Sequence, residues 1–293
     1  MAYDSVFKAG LFQGKVALIT GGGTGIGRCV AHELAALGCT VVLSGRRPEP
    51  LAQTVQEITD DGGIALALPL NIRDDEAVDT AIAELVKQHG RLDFVVNNAG
   101  GQFAADAATI RPKGWRAVID TNLNGTWWVS QSAHRHWMQR QGGAVVNVIA
   151  DMWNGFPGMA HTGAARAAVD NLTKTLAIEW AGDGVRVNAV APGYVLSSGL
   201  ANYPDDIMEV FQTMMAKNPA ARLATEAEVS SAVVWLLTPG AAYVTGHTVR
   251  VDGAGSLAKQ VMFPLAEVSK LPVYDGFHRH SAVPSRFVAD KGQ

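Results

Sequence analysis

Cysteine is scarce in this chain: Cys29 and Cys39 are the only two among 293 residues. Two cysteines form neither a disulfide framework nor a thiolate metal centre, and both read as packing residues of a helix and a strand. Charge is sparse as well. Asp, Glu, Lys and Arg make up 17% of the chain, the formal net charge is −3, and no basic run exceeds Arg46-Arg47. That excludes an electrostatic nucleic-acid surface. The charge-free stretch Val187 to Pro204 contains Asn, Pro, Gly and Ser and does not read as a membrane span. The N-terminus has no basic segment leading into an apolar one, so we expect no signal peptide and a cytoplasmic protein without membrane or nucleic-acid partners. Internal repeats and linkers are missing too. What remains is 48% hydrophobic, the level of an ordinary buried core.

The organising stretch is Thr20-Gly21-Gly22-Gly23-Thr24-Gly25-Ile26-Gly27. It follows the apolar run Lys15 to Ile19, a short buried strand, and precedes Arg28 to Leu37, whose apolar positions recur at helical spacing. Strand, glycine turn and helix aim backbone N–H groups at an anion, usually a pyrophosphate. Tight turns use glycine as well, so the flanking elements carry the reading. A second strand, Thr40 to Leu43, ends in Ser44-Gly45-Arg46-Arg47. An acid there would accept from a ribose 2′-OH. Two arginines, with Arg28 as a third candidate, suit a 2′-phosphate instead and favour NADP(H) over NAD(H).

Further along, a helix over 49–61, a buried strand over 64–68, a helix reaching His89 and a strand over 92–96 follow in order. Turns at Asn71-Ile72 and at Asn97-Asn98-Ala99-Gly100 then fall at carboxyl ends of strands, where ligands of open parallel sheets bind. A long helix over 114–140 contains Asn122, unfavourable there unless its side chain or a helix distortion does something. A fifth strand over 142–149, a helix over 159–181, a sixth strand over 185–190 and a seventh over 249–253 complete the pattern. We expect one α/β domain: a doubly wound, Rossmann-type sheet of seven mainly parallel strands with helices on both faces.

Thr20-Gly21 with Gly25 and Gly27, Asn97 to Gly100, Asn122, Pro192-Gly193 and Val251-Asp252-Gly253 together resemble the short-chain dehydrogenase/reductase family over roughly residues 10 to 255. The resemblance implies NAD(P)-dependent hydride transfer and a homo-oligomer, a dimer or tetramer built on the two long central helices. It assigns the cofactor to Gly21, Thr24, Gly25, Ile26, Gly27, Arg46, Arg47, Asn71, Ile72, Asn98, Ala99, Gly100, Arg166, Pro192, Gly193 and Val195. The family's catalytic set is Asn, Ser, Tyr and Lys. Here Asn122 matches, Thr162 and Arg166 stand where Tyr-x-x-x-Lys is expected, and Ala150 or Asp151 replaces the Ser. Thr is a very weak acid and Arg cannot relay a proton, which argues against ordinary ketone reduction.

The same departures occur in a branch of that family. The chain is similar to peroxisomal trans-2-enoyl-CoA reductase and the related 2,4-dienoyl-CoA reductases at Gly100-Gly101-Gln102-Phe103, at His161 to Arg166 and at Asn171 to Lys174, although that relative has Tyr where Asp170 stands. This implies NADP(H)-dependent reduction of an enoyl-thioester C=C bond. The alternatives are an alcohol, aldehyde or 3-oxoacyl dehydrogenase of an apolar chain such as a terpenoid, and a cofactor-binding but silent subunit. Asn122 is the first candidate donor to the thioester oxygen. Thr162 and Arg166 would hold the nicotinamide ribose and phosphate, and His161, Asp151 or Tyr194 could supply a proton. Leu196 to Met215 reads as a lid for an apolar substrate, and residues 256–293 as a subunit-interface arm. His134, His136 and Trp137 read as an oligomer face, with no acid or cysteine to complete a metal set.

Overall fold

The computed structural model describes residues 3–198, 213, 215, 218–258 and 269–280. Seven strands form one parallel sheet: β1 (Val16–Thr20), β2 (Thr40–Gly45), β3 (Ile64–Pro69), β4 (Phe94–Asn97), β5 (Gly143–Val148), β6 (Val185–Pro192) and β7 (Thr248–Val251). Their order across the sheet is β3-β2-β1-β4-β5-β6-β7. The winding reverses between β1 and β4, which opens a crevice beyond their carboxyl ends. Register brings Ser44, Thr20, Asn97 and Asn147 level at that edge, each paired with the next.

Among the described residues the α-helices are α1 (Gly25–Ala36), α2 (Pro48–Asp60), α3 (Asp75–His89), α4 (Pro112–Ile119), α5 (Gly125–Ala133), α6 (Gln139–Gln141), α7 (Ala160–Glu179) and α8 (Glu226–Leu237). Strand side chains alternate between faces, so one β1 run serves two cores. Ala17 and Ile19 pack with Val30 and Leu34 of α1 and with Val229 and Val233 of α8. Val16 and Leu18 face Val78 and Ile82 of α3, Val129 of α5 and Leu176 of α7. Both cysteines are buried and unbridged, as packing residues should be.

Two elements differ from expectation. β3 is not a buried strand: Ile64 is 61% and Leu66 38% exposed, because β3 lies at the sheet edge. The long central helix is present but interrupted. α4 passes through a π turn at Asp120–Asn124 into α5, and a second π turn, His134–Met138, leads into α6. In the first π turn the Asn122 amide donates to the Val118 carbonyl at 2.9 Å, which satisfies a backbone group that the wider turn frees.

The glycine turn is fitted to its neighbours without slack. A Cβ placed on Gly27 would stand 2.3 Å from the Gly21 carbonyl oxygen and 2.4 Å from Asn98 Nδ2. Arg28, the third candidate for a phosphate, is turned away from the crevice. It is buried and paired with Glu57 at 2.7 Å, donates to the Arg279 carbonyl, and lies over the Phe277 ring.

Phe277 belongs to the described part of the C-terminal extension, residues 269–280, which folds back on its own chain. The Asp4 N–H donates to the Gly276 carbonyl at 2.9 Å, and the Tyr274 hydroxyl donates to the Asp4 carbonyl. Phe277 is 1% exposed, against Tyr3 and His32. Arg279 pairs with both oxygens of Asp61, and His278 Nε2 reaches the same carboxylate at 2.7 Å. His32, Asp61 and His278 bring ligand-type atoms within 4.8 Å of one another. The Arg279 guanidinium already neutralises that carboxylate, and we read the group as an anchor for the strap. The proposed lid falls almost wholly outside the described residues, as do residues 259–268 and 281–293 of the expected C-terminal arm.

Gly27→Ala should abolish soluble expression or dinucleotide binding, because the atoms it meets are backbone and a committed amide; circular dichroism and binding titration check this. Phe277→Ala should lower unfolding free energy by about 3–5 kcal/mol, the usual cost of an excised buried aromatic, in urea denaturation.

Candidate active site

Beyond the carboxyl ends of β1, β2 and β4 lies a cleft lined by Gly21, Gly23, Thr24, Ser44 to Arg47, Pro50, Leu51, Leu70 to Ile72, Asn98 to Gly100 and Thr121. Most of the expected cofactor residues meet there. Gly23, Ser44 and Thr121 join them unforeseen; adjacency to the glycine run and to Arg46 was the available signal for the first two. Gly25, Ile26 and Gly27 begin α1 directly after the lining residue Thr24. Pro192 ends β6, and Gly193 is pressed so closely on Asp252 that a Cβ would come within 2.9 Å of its Cα. Val195 is buried in the core beside Val229.

The wall is held by hydrogen bonds within the chain. Thr20 Oγ1 accepts from the N–H groups of Asn98 and Ala99 at 3.1 and 3.0 Å. The Asn98 side chain donates back to the Thr20 and Gly21 carbonyls. Asn98 therefore clamps the glycine turn with its amide. Asn97 faces inward and donates to Ser130 and to Asn147, and Asn147 donates to Thr173. All four of these side chains are buried. At the mouth, Arg46 and Arg47 are exposed, and among the described residues no carboxylate pairs with either. Ser44 Oγ is buried without a hydrogen-bond partner among the described residues.

Deeper in, Asn122 is fully buried. Its two amide hydrogens go to the Gly101 and Val118 carbonyls, and its oxygen accepts from the Gly101 N–H. The expected direct donation to a substrate oxygen has no hydrogen left to make it; Asn122 instead ties the loop after β4 to the π turn. Arg166 lies beside it. A Cβ on Gly100 would meet Arg166 Nη2 at 2.4 Å and Asn122 Oδ1 at 2.8 Å. The guanidinium is buried, Nη1 has no hydrogen-bond partner, and no carboxylate among the described residues is in ion-pair reach. Burial pushes its pKa down to about 10, so it stays charged at neutral pH.

His161 and Thr162 open α7, both buried. His161 Nδ1 accepts from the Thr162 N–H at 2.8 Å, its ring stands edge-on to Phe103 at 4.4 Å, and Nε2 has no partner among the described residues. Burial lowers the His161 pKa and keeps the ring neutral. Asp151 is half-buried after β5, and Tyr194 is 43% exposed after β6. Asp170, where the similar relative carries Tyr, serves the fold by accepting from Lys174 and from Thr248 of β7. The histidine stripe also finds acids, contrary to the local reading. His134 pairs with Asp183 while stacking on Trp180, and His136 pairs with Asp79.

Chemically, the cleft combines donor-rich glycine backbone, two uncommitted surface guanidiniums and a buried, uncompensated one. All three favour an elongated polyanion. The cradle admits no Cβ at Gly27, and orphaned Ser44 Oγ waits at the β2 end, so these residues fit a dinucleotide.

Comparison with known proteins agrees. Residues 21–255 match the family described as Enoyl-(Acyl carrier protein) reductase. A Bacillus subtilis protein named as a probable 2,4-dienoyl-CoA reductase, (2E)-enoyl-CoA-producing, is 39% identical over 242 residues, covering 82% of this chain and 95% of its own. The solved structure of a citronellol catabolism dehydrogenase from Pseudomonas aeruginosa PAO1 is 46% identical, with TM-score 0.79, covering 87% of this chain and all of that one. A Beutenbergia cavernae protein, provisionally titled an NAD(P)-dependent gluconate 5-dehydrogenase and solved with NADP at low occupancy, is 35% identical, with TM-score 0.78, over 85% of this chain and 99% of that one. With its parallel sheet, its dinucleotide-shaped cleft and these relatives, the chain belongs to the short-chain dehydrogenase/reductase family and is an oxidoreductase that uses a nicotinamide cofactor.

Proposed function

We propose that the chain reduces the C=C bond of an enoyl thioester with NADPH as hydride source. The observation that carries the reading is Arg166, a buried guanidinium without a carboxylate among the described residues. Burying a charge unpaired costs several kcal/mol, which a bound or developing anion offsets. When bound, the reduced nicotinamide supplies a hydride. Its diphosphate is assigned to the turn Gly21 to Gly27, its 2′-phosphate to Arg46 and Arg47, and its adenosine ribose to Ser44. Transfer to the β-carbon of an enoyl thioester moves an electron pair onto the thioester oxygen. The fixed positive charge of Arg166 favours that anion and needs no reorganisation as it forms. Asn122 contributes by holding the loop at Gly101, and Thr162 by holding the His161 ring. We assign the proton taken up by the α-carbon to solvent, with neutral His161 orienting the donor through its Nε2, which has no partner among the described residues. The 2,4-dienoyl-CoA reductase named among the relatives supports a thioester substrate.

A second reading, oxidation or reduction of an apolar alcohol or aldehyde, is favoured by the citronellol catabolism relative. Tyr194, 43% exposed, is then the acid–base group. Cytoplasmic placement and assembly through the two long central helices belong to both readings, and light scattering tests the assembly. No helix among the described residues is long and apolar enough to cross a membrane.

With crotonyl-type thioesters and NADPH we expect absorbance at 340 nm to fall, and with medium-chain alcohols and NADP+ we expect no rise; a rise with the alcohols and no fall with the thioesters establishes the second reading. Arg46→Ala should reduce the NADPH-over-NADH preference at least about tenfold, the equivalent of one charge-assisted hydrogen bond. An unchanged ratio sinks the cofactor assignment. Arg166→Met should lower kcat by about 10²-fold or more while leaving Tm level or raised, since an apolar residue relieves the buried charge.

A further inference from the structure

Glu226, the first residue of α8, has no part in the chemistry above, yet it is only 4% exposed. Its Oε1 has no hydrogen-bond partner among the described residues. The carboxyl lies under the glycine turn: a Cβ built on Gly25 would be 3.8 Å from Oε1 and 3.9 Å from Ser198 Oγ. Gly25 is where α1 begins. The amide field of that helix N-terminus attracts negative charge, and the carboxylate and a diphosphate would compete for it.

The groups facing Glu226 come from each element packed around it. From α1 these are Arg28, whose charge is shared with Glu57, and Cys29. The strap contributes Asp275, and the segment after β6 contributes the Ser198 N–H. On its own helix, Glu228 is taken up by Arg222 and by the Thr225 cap. Burial is the largest influence and pushes the Glu226 carboxyl up to about 7, with Asp275 adding to the rise and Arg28 and Ser198 opposing it.

We propose that Glu226 is a positioning residue for the cofactor diphosphate, and that the protein takes up one proton from solvent onto this carboxyl when the dinucleotide binds, releasing it on dissociation. This rests on the reading that the Gly21–Gly27 turn holds the diphosphate. The sign follows from charge. A neutral carboxyl tolerates the diphosphate beside it and a carboxylate repels it, so affinity is greatest at low pH and falls as pH rises through the carboxyl's own titration. A carboxylic acid kept neutral thereby makes one cofactor contact pH-dependent without touching the reacting carbons.

The test is titration calorimetry of the full chain with NADH, which lacks a 2′-phosphate, and with NADPH in parallel, at pH 6 to 8.5 in buffers of different ionisation enthalpy. Wild-type protein should take up about half a proton or more per NADH near pH 7.5, and its Kd should rise about tenfold from pH 6 to 8. Glu226→Gln should show no uptake of this proton, should vary less than about twofold, and should bind more tightly than wild type at pH 8.5. Wild-type binding without proton uptake, or the same uptake in Glu226→Gln, overturns the proposal while leaving the cofactor site intact. Failure of both proteins to bind either dinucleotide overturns the site reading and this inference together.

Discussion

The constraint on which the cleft depends is the seat of the glycine turn on the end of β4. Gly27 approaches the Gly21 carbonyl and the Asn98 amide so closely that no side chain fits between them. Thr20 and Asn98 close the contact from both strands with reciprocal hydrogen bonds. Everything that depends on where α1 begins, including the direction of its free N–H groups, follows from this contact. The apolar alternation of β1 then carries the same geometry into both cores, since one face meets α1 and α8 and the other meets α3, α5 and α7.

Behind that wall the interior is unusually polar. Asn97, Ser130, Asn147 and Thr173 form a buried chain of hydrogen bonds across β4, β5, α5 and α7. Asn122 spends every side-chain hydrogen on backbone oxygens of the π turn and of Gly101. Such networks are stable when fully satisfied and costly when not. Four of the unsatisfied atoms lie near the site: Arg166 Nη1, His161 Nε2 and Ser44 Oγ border it, and Glu226 Oε1 lies under its glycine turn. Asn97 Oδ1, Arg222 Nε and His278 Nδ1, away from the glycine turn, are also buried without a hydrogen-bond partner among the described residues.

Secondary-structure order, the glycine turn, the Asn71-Ile72 and Asn97 to Gly100 turns and the arginine pair after β2 were all legible, because each is a local pattern of period, turn chemistry or charge. Pairings were not. Arg28 looked available for a phosphate until α2 brought Glu57 beside it and the strap laid Phe277 across it. β3 looked as buried as its neighbours by composition, yet it sits at an edge, and nothing in Ile64 to Leu68 encodes how many strands flank it. His134 and His136 lacked acids nearby in sequence and found Asp183 and Asp79 through folding. The C-terminal extension read as an arm toward another subunit, while residues 269–280 close on Tyr3, Asp4 and Asp61 of the same chain.

By itself, then, the amino-acid order determined the alternation of strands and helices, the parallel sheet it compels and the mouth of the cleft, since backbone propensity and apolar period act over a few residues at a time. Only the tertiary structure decided which charges and hydrogen-bonding groups stay uncommitted. Arg166 differs from Arg28 not in type but in what the fold places within about 3 Å of it, the range over which a polar group is satisfied or left waiting.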